Sequence, residues 1–251
     1  MRYRCCVTAP PRPTGLRFDR LDAVRGLAMV WMVLFHFAFD LNHFGLWQPK
    51  QNFHADALWT TQRSVIVSLF LFCAGLGQAV ALAQGQGWPR FWRRWVQVAG
   101  CALLVTAGSA LMFPRSFIFF GVLHGIAVML VVMRLSAGAG GWLWLLGALA
   151  IALPQVAAHP LFDGPQLSWL GLVTRKPVTE DYVPILPWLG VMWWGLAAGR
   201  WALSRRPGWL AGPLPAAGRP LAALGRWPLT VYMVHQPLLI GLLMLWLRLR
   251  G

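Results

Sequence analysis

Residues 64–84 read SVIVSLFLFCAGLGQAVALAQ, a run with no Asp, Glu, Lys or Arg. At a helical rise of about 1.5 Å per residue this run is about 30 Å long, the thickness of a bilayer's hydrocarbon core. Apolar blocks of similar length recur near 22–44, 92–113, 116–134, 142–158, 183–203 and 228–248. Hydrophobic residues make up 58% of the 251 positions and charged residues 12%, against about a quarter charged in a soluble domain. The expected fold class is all-α: a polytopic transmembrane helical bundle of about seven spans. It forms a single domain over residues 18–250. Residues 1–17, basic and interrupted by Pro10, Pro11 and Pro13, read as a disordered cytoplasmic tail. No small-residue cleavage site follows the first apolar run, so a removable signal peptide is not expected.

The net charge of +15 does not imply nucleic acid, because the basic residues form no concentrated stripe. They lie in the connections and at the chain's ends, where they report topology. With the N-terminus inside, the inner side receives fifteen Arg and the outer side seven Lys or Arg, among them Lys50, Arg63, Arg115 and Lys176. That bias predicts a cytoplasmic N-terminus in a multi-pass protein of the cytoplasmic (inner) membrane. The Pro- and Gly-rich stretches, such as 205–224, read as connections. Cys5, Cys6, Cys73 and Cys101 show neither a disulfide framework nor zinc spacing.

Ionisable side chains inside a span are expensive, so they face protein or water and suggest function. His36 and Asp40 are one helical turn apart and share a face of the first span. Counted along each span, His36 falls roughly 15 Å deep, His124 about 12 Å and His235 about 10 Å. Three histidines from three spans thus fall at similar depth, one beside a carboxylate. Interhelical hydrogen bonding alone is the simplest reading of such residues. A metal site is not expected, since there is neither a second carboxylate nor a His pair at ligand spacing. A neutral imidazole beside Asp40 better suits proton transfer. Asp22 and Arg25 read as a local ion pair, and Arg63 as either a snorkelling cation or a holder of an acidic ligand group.

Arg20-Leu21-Asp22-Ala23-Val24-Arg25-Gly26-Leu27-Ala28, running into Met32-Val33 and His36, resembles the first-span signature of membrane acyltransferases. The similarity is strongest to the heparan-α-glucosaminide N-acetyltransferase family, especially its small bacterial members. Phe70 to Gly75, Gly121 to Ala127, Asp181 to Pro184 and Pro187-Trp188 look like further parts of that family's pattern. The closing Tyr232-Met233-Val234-His235-Gln236-Pro237 is shared with the wider polysaccharide O-acyltransferase superfamily. Together these segments run from about 17 to 245.

The resemblance implies acetyl-CoA as acyl donor from the cytoplasm and a sugar amine or hydroxyl as extracytoplasmic acceptor. It also implies a catalytic histidine just after the first span in a His-Ala context, which His54-Ala55 matches. The O-acyltransferases place a histidine where His36 stands. Both remain candidate bases, with His36 favoured by its depth and by Asp40. Arg90, Arg93 and Arg94 would meet the CoA phosphates. The acceptor would pass Arg63, Asp181 and Tyr182, and His124 or His235 would stabilise the oxyanion. A proton-linked transporter using the same residues as a relay is the first alternative, and a non-catalytic membrane scaffold the second.

Overall fold

A computed structural model describes residues 18–250; the basic tail expected over 1–17 lies outside them. Among the described residues nine α-helices follow in order: α1 (Asp19–His43), α2 (Ala57–Ala83), α3 (Trp88–Met112), α4 (Val122–Ser136), α5 (Trp142–Val156), α6 (Ile185–Arg205), α7 (Gly208–Ala211), α8 (Arg219–Gly225) and α9 (Pro228–Arg250). The only extended pairing among the described residues is one parallel bridge between Phe120 and Tyr182. The fold is all-α, as its composition predicts.

Among the described residues five helices are long and apolar enough to cross a bilayer: α1, α2, α3, α4 with its 3-10 continuation to Ala139, and α9. Leu103, Leu104, Leu111, Leu145, Leu149, Leu242 and Leu245 are all more than two-fifths exposed. Apolar surface on that scale needs lipid around it. The chain is a multi-pass membrane protein. The other two expected spans correspond to α5 and α6, which lack the length or the apolar run. At 15 residues, α5 is about 22 Å long. With 21 residues, α6 carries Trp188, Trp193, Trp194, Trp201, Arg200 and Arg205. It can be less apolar because it is the most enclosed helix, buried along Leu189, Met192, Leu196 and Gly199.

Small residues let α6 and α2 run close together in parallel. A Cβ on Gly75 would stand 2.3 Å from the Met192 carbonyl oxygen, and one on Gly195 2.3 Å from that of Phe72. Backbones this close gain dispersion contacts that lipid chains cannot supply. The stretch 205–224, expected as a plain connection, instead folds into α7 and α8, and α8 packs on α1. Gly26 and Gly225 make that contact: a Cβ on either would lie 1.9 Å from Leu221 O or 1.8 Å from Asp22 O. Arg20 ties the same end together, donating to the carbonyls of Gly208 at 3.0 Å and Pro213 at 3.1 Å. The expected Asp22–Arg25 ion pair is present at 2.9 Å.

One boundary changes the site. The fourth span, expected from 116, begins as a helix only at Val122, with Gly121 as N-cap. Residues 116–120 pair with the loop before α6: Glu180 N donates to Ser116 O at 2.9 Å and Val183 N to Phe120 O at 3.3 Å. His124 therefore sits in the first turn of α4, not some 12 Å inside it.

Candidate active site

The seam between α1 and α9 holds a group of polar side chains in an apolar setting: His36, Asp40, His235 and Gln236. The i, i+4 spacing of His36 and Asp40 turns both toward α9. His36 and His235 meet ring to ring, with centroids 4.9 Å apart. Each ring is fixed by its own helix: His36 Nδ1 bonds the Met32 carbonyl at 3.0 Å and His235 Nδ1 the Tyr232 carbonyl at 2.6 Å. A carbonyl oxygen only accepts, so both Nδ1 atoms carry the hydrogen and both Nε2 atoms present a lone pair. That is the form a general base needs.

Asp40 is 3% exposed. Its Oδ1 accepts from Gln236 Nε2 at 2.8 Å, so the carboxylate is tied to α9 rather than to the His36 ring. Oδ2 of Asp40, Oε1 of Gln236 and Nε2 of His235 are buried with no hydrogen-bond partner among the described residues. Gln236 escaped the sequence reading, although a Gln within an apolar helix, adjacent to His235, is a signal of the same kind as a buried histidine. An aromatic wall of Phe35, Phe53 and Trp59 stands beside the pair, with Phe53 and Trp59 stacked at 4.0 Å.

Beyond that wall, at the far end of α1, a cavity of about 450 Å³ is lined by Phe39, Asn42, His43, Lys50, Gln51, Asn52, Phe53 and His54. Asn42 braces its rim, accepting from Gln51 N at 2.7 Å and donating to Gln51 O at 3.0 Å. His54 is exposed on this rim. Partial burial, with Lys176 and then Arg63 nearby, holds its imidazole below the usual range. Arg63, Lys176 and Glu180 thus share the electrostatic environment of His54.

The other expected site residues already have structural partners. His124 Nε2 donates to Thr106 Oγ1 at 3.0 Å, and its Nδ1 accepts from Gly121 N at 3.3 Å. The ring caps the Gly121 N–H at the start of α4 and links the helix to α3, leaving neither nitrogen free. Asp181 Oδ2 accepts from Val122 N at 2.7 Å, an anion on a helix N-terminus, and burial pushes its carboxyl above the usual range. Tyr182 donates its hydroxyl to Ser168 O at 2.6 Å, and burial pushes the phenol up to about 12. Both residues close the loops that frame α4.

At the opposite end of the bundle Arg90, Arg93 and Arg94 are exposed along the first turns of α3, with Arg25 close enough for its charge to act on Arg94. Such clustered guanidinium groups suit phosphate. Replacing Arg93 and Arg94 together with Gln should weaken acetyl-CoA binding by roughly 2- to 30-fold, at about 0.2–1 kcal/mol per exposed contact. The loss should be larger at low salt, where attraction is less screened. Equilibrium binding across a salt series checks this, and an unchanged affinity at every concentration would leave these residues to topology alone.

The family description "Heparan-alpha-glucosaminide N-acetyltransferase, catalytic" matches residues 17–237. The chain belongs to this N-acetyltransferase family. No curated protein and no solved structure matches it. The family match begins just before α1 and ends just after Gln236, so it takes in His36, Asp40, His54, His235 and Gln236. Acetyl-CoA is the donor substrate that membership implies, and the exposed Arg cluster on α3 is chemically suited to its phosphates.

Proposed function

We propose that the protein is an acyl-CoA-dependent acetyltransferase that crosses the membrane seven times with its N-terminus in the cytoplasm. It would move an acetyl group from cytoplasmic acetyl-CoA to a sugar amine or hydroxyl on the far side. Family membership supports the reaction class. The contact of His36 with His235, both with Nε2 lone pairs turned away from their helix bonds, is the observation that carries the reading.

In this account the donor phosphates rest on Arg90, Arg93 and Arg94, and the thioester reaches the α1–α9 seam. The acceptor enters from the opposite face through the cavity beside His54 and Lys50. His36 Nε2 takes the proton from the acceptor nitrogen or oxygen as that atom bonds to the thioester carbon. The C–S bond then breaks, and the imidazolium returns its proton to the leaving thiolate, giving acetylated acceptor and free CoA. Where His36 first hands that proton to Nε2 of the His235 ring it touches, His235 is the group that donates to the oxyanion before the thiolate takes the proton. Asp40, at their level, favours the transient positive charge.

Proteoliposomes test this directly. Vesicles are loaded with D-glucosamine and labelled acetyl-CoA is added outside. Covalent label on the enclosed sugar is the expected result. Accumulation of unmodified solute driven by a proton gradient would instead support a proton-linked transporter. Neither outcome would leave a scaffold role.

A further inference from the structure

The α9 face that carries His235 continues toward the helix's C-terminal end through Leu239, Leu242, Trp246 and Leu249, at i+4, i+7, i+11 and i+14. With Phe37 of α1 and the buried Leu243 they line an apolar groove of about 390 Å³. From Leu239 to Leu249 the groove runs about 15 Å along the helix, the depth of one leaflet of a hydrocarbon core about 30 Å thick. At its end stand Arg248 and Arg250, both exposed in the last turn of α9. Arg250 holds its guanidinium over the Trp246 ring at 4.3 Å, so a cation and the groove wall form one unit. The chain beyond Asp181 has no Asp or Glu. The ion pairs among the described residues are Asp22–Arg25 and Asp19–Arg226, so neither arginine has an acidic partner there. The carbonyl end of a helix carries only about half a negative charge, so two guanidinium groups leave an excess of positive charge beside the groove.

We propose that this groove and its two arginines bind one anionic membrane phospholipid, with an acyl chain between α1 and α9 and the phosphate on Arg248 and Arg250. The groove's apolar lining fits the chain in chemistry, and its length fits one leaflet. Guanidinium groups at a membrane surface attract anionic headgroups and donate to phosphate oxygens. A second copy of this chain fits less well. A two-fold pair through this face would set both α9 helices side by side and bring four arginines to one end. The bound lipid also has a structural consequence. Among the described α9 residues Leu243 alone is buried, so the acyl chain supplies packing that α1 does not. It lies along the face that presents His235 to His36 and clamps α9 against α1.

The site rests on the membrane reading alone, and its test needs no acetyl transfer. The full chain, delipidated in detergent, is titrated with phosphatidylglycerol and with phosphatidylcholine of identical acyl chains. Native mass spectrometry counts the bound lipids. Wild type should take up its first phosphatidylglycerol roughly tenfold more tightly than phosphatidylcholine, the scale for two arginines near an anionic headgroup. Replacing Arg248 and Arg250 together with Gln should abolish that preference and leave phosphatidylcholine binding unchanged. Both side chains are exposed at a helix end, so this variant should fold. Leu242→Trp keeps both arginines but fills the groove, and it should weaken the first binding step for both lipids. Equal affinity for the two lipids in wild type overturns the proposal, and this arm depends on no variant. Retention of the full preference in the double Gln variant also overturns it, placing the anionic site elsewhere on the chain. Unchanged first-lipid binding in a folded Leu242→Trp shows that no acyl chain occupies the groove. A dimer that excludes lipid in wild type and dissociates in Leu242→Trp would overturn the lipid and assign the groove to a second copy.

Discussion

His36→Ala should lower acetyl transfer by roughly two to four orders of magnitude, the usual scale for losing a general base. The bundle should remain folded, because the His36 ring bonds only its own helix's Met32 carbonyl and makes only a ring contact with His235 across the seam. Among the described α9 residues, Leu243 alone is buried. His36→Gln would keep a polar group of similar reach but cannot accept and return a proton at neutral pH, so it should be nearly as inactive. A purely structural histidine predicts the opposite ordering, with Gln tolerated and Ala lowering thermal stability. Initial rates and melting temperatures measured on the same detergent preparations separate the two.

The second large effect concerns the α1–α8 crossing. Gly26→Ala and Gly225→Ala should each destabilise the protein by about 1–3 kcal/mol or more, the range for overpacking a fitted contact. A new Cβ in either case would press on a backbone carbonyl at 1.9 or 1.8 Å, and a backbone cannot swing aside as a side chain can. For a chain of this size that corresponds to a fall in Tm of roughly 2–12 °C. Gly108→Ala provides the contrast. It lies within α3 with nothing inside 4 Å of a built Cβ, so removing a glycine from a helix should be neutral or gain about 0.5–1 kcal/mol. Thermal unfolding followed by tryptophan fluorescence reads all three. Equal Tm for Gly225→Ala and wild type would show that α8 does not dock on α1 as described.

Much of this was legible in the sequence because bilayer crossing imposes a length and a composition. Residues 64–84 announced α2, and the i, i+4 spacing of His36 and Asp40 announced a shared face. Counting along a span placed residues correctly relative to one another only where the helix start was right. For His36 and His235 the expected common level is matched by two rings that meet. For His124 the run 116–134 hid a loop, because Phe117, Ile118, Phe119 and Phe120 are apolar without being helical. Apolarity alone does not distinguish a loop packed against protein from a helix facing lipid. The same ambiguity, reversed, affects α6: enclosed by α2 and α5, it does not need the apolar composition that marks a lipid-facing span. Pairing was least legible. Nothing in the sequence said that Asp40 would bond Gln236, nearly two hundred residues away, or that Asp181 would cap α4, because such bonds depend on how helices dock.

The proposed mechanism places proton transfer in the α1–α9 seam rather than on the outer rim. Acetyl transfer by His36→Ala and His54→Ala, at matched thermal stability and saturating acetyl-CoA, tests it most directly. The expected result is activity lost with His36→Ala and largely retained with His54→Ala, since His54 is exposed on the cavity rim. Full activity in His36→Ala together with loss in a folded His54→Ala would rule out His36 as the base and move the chemistry to the rim.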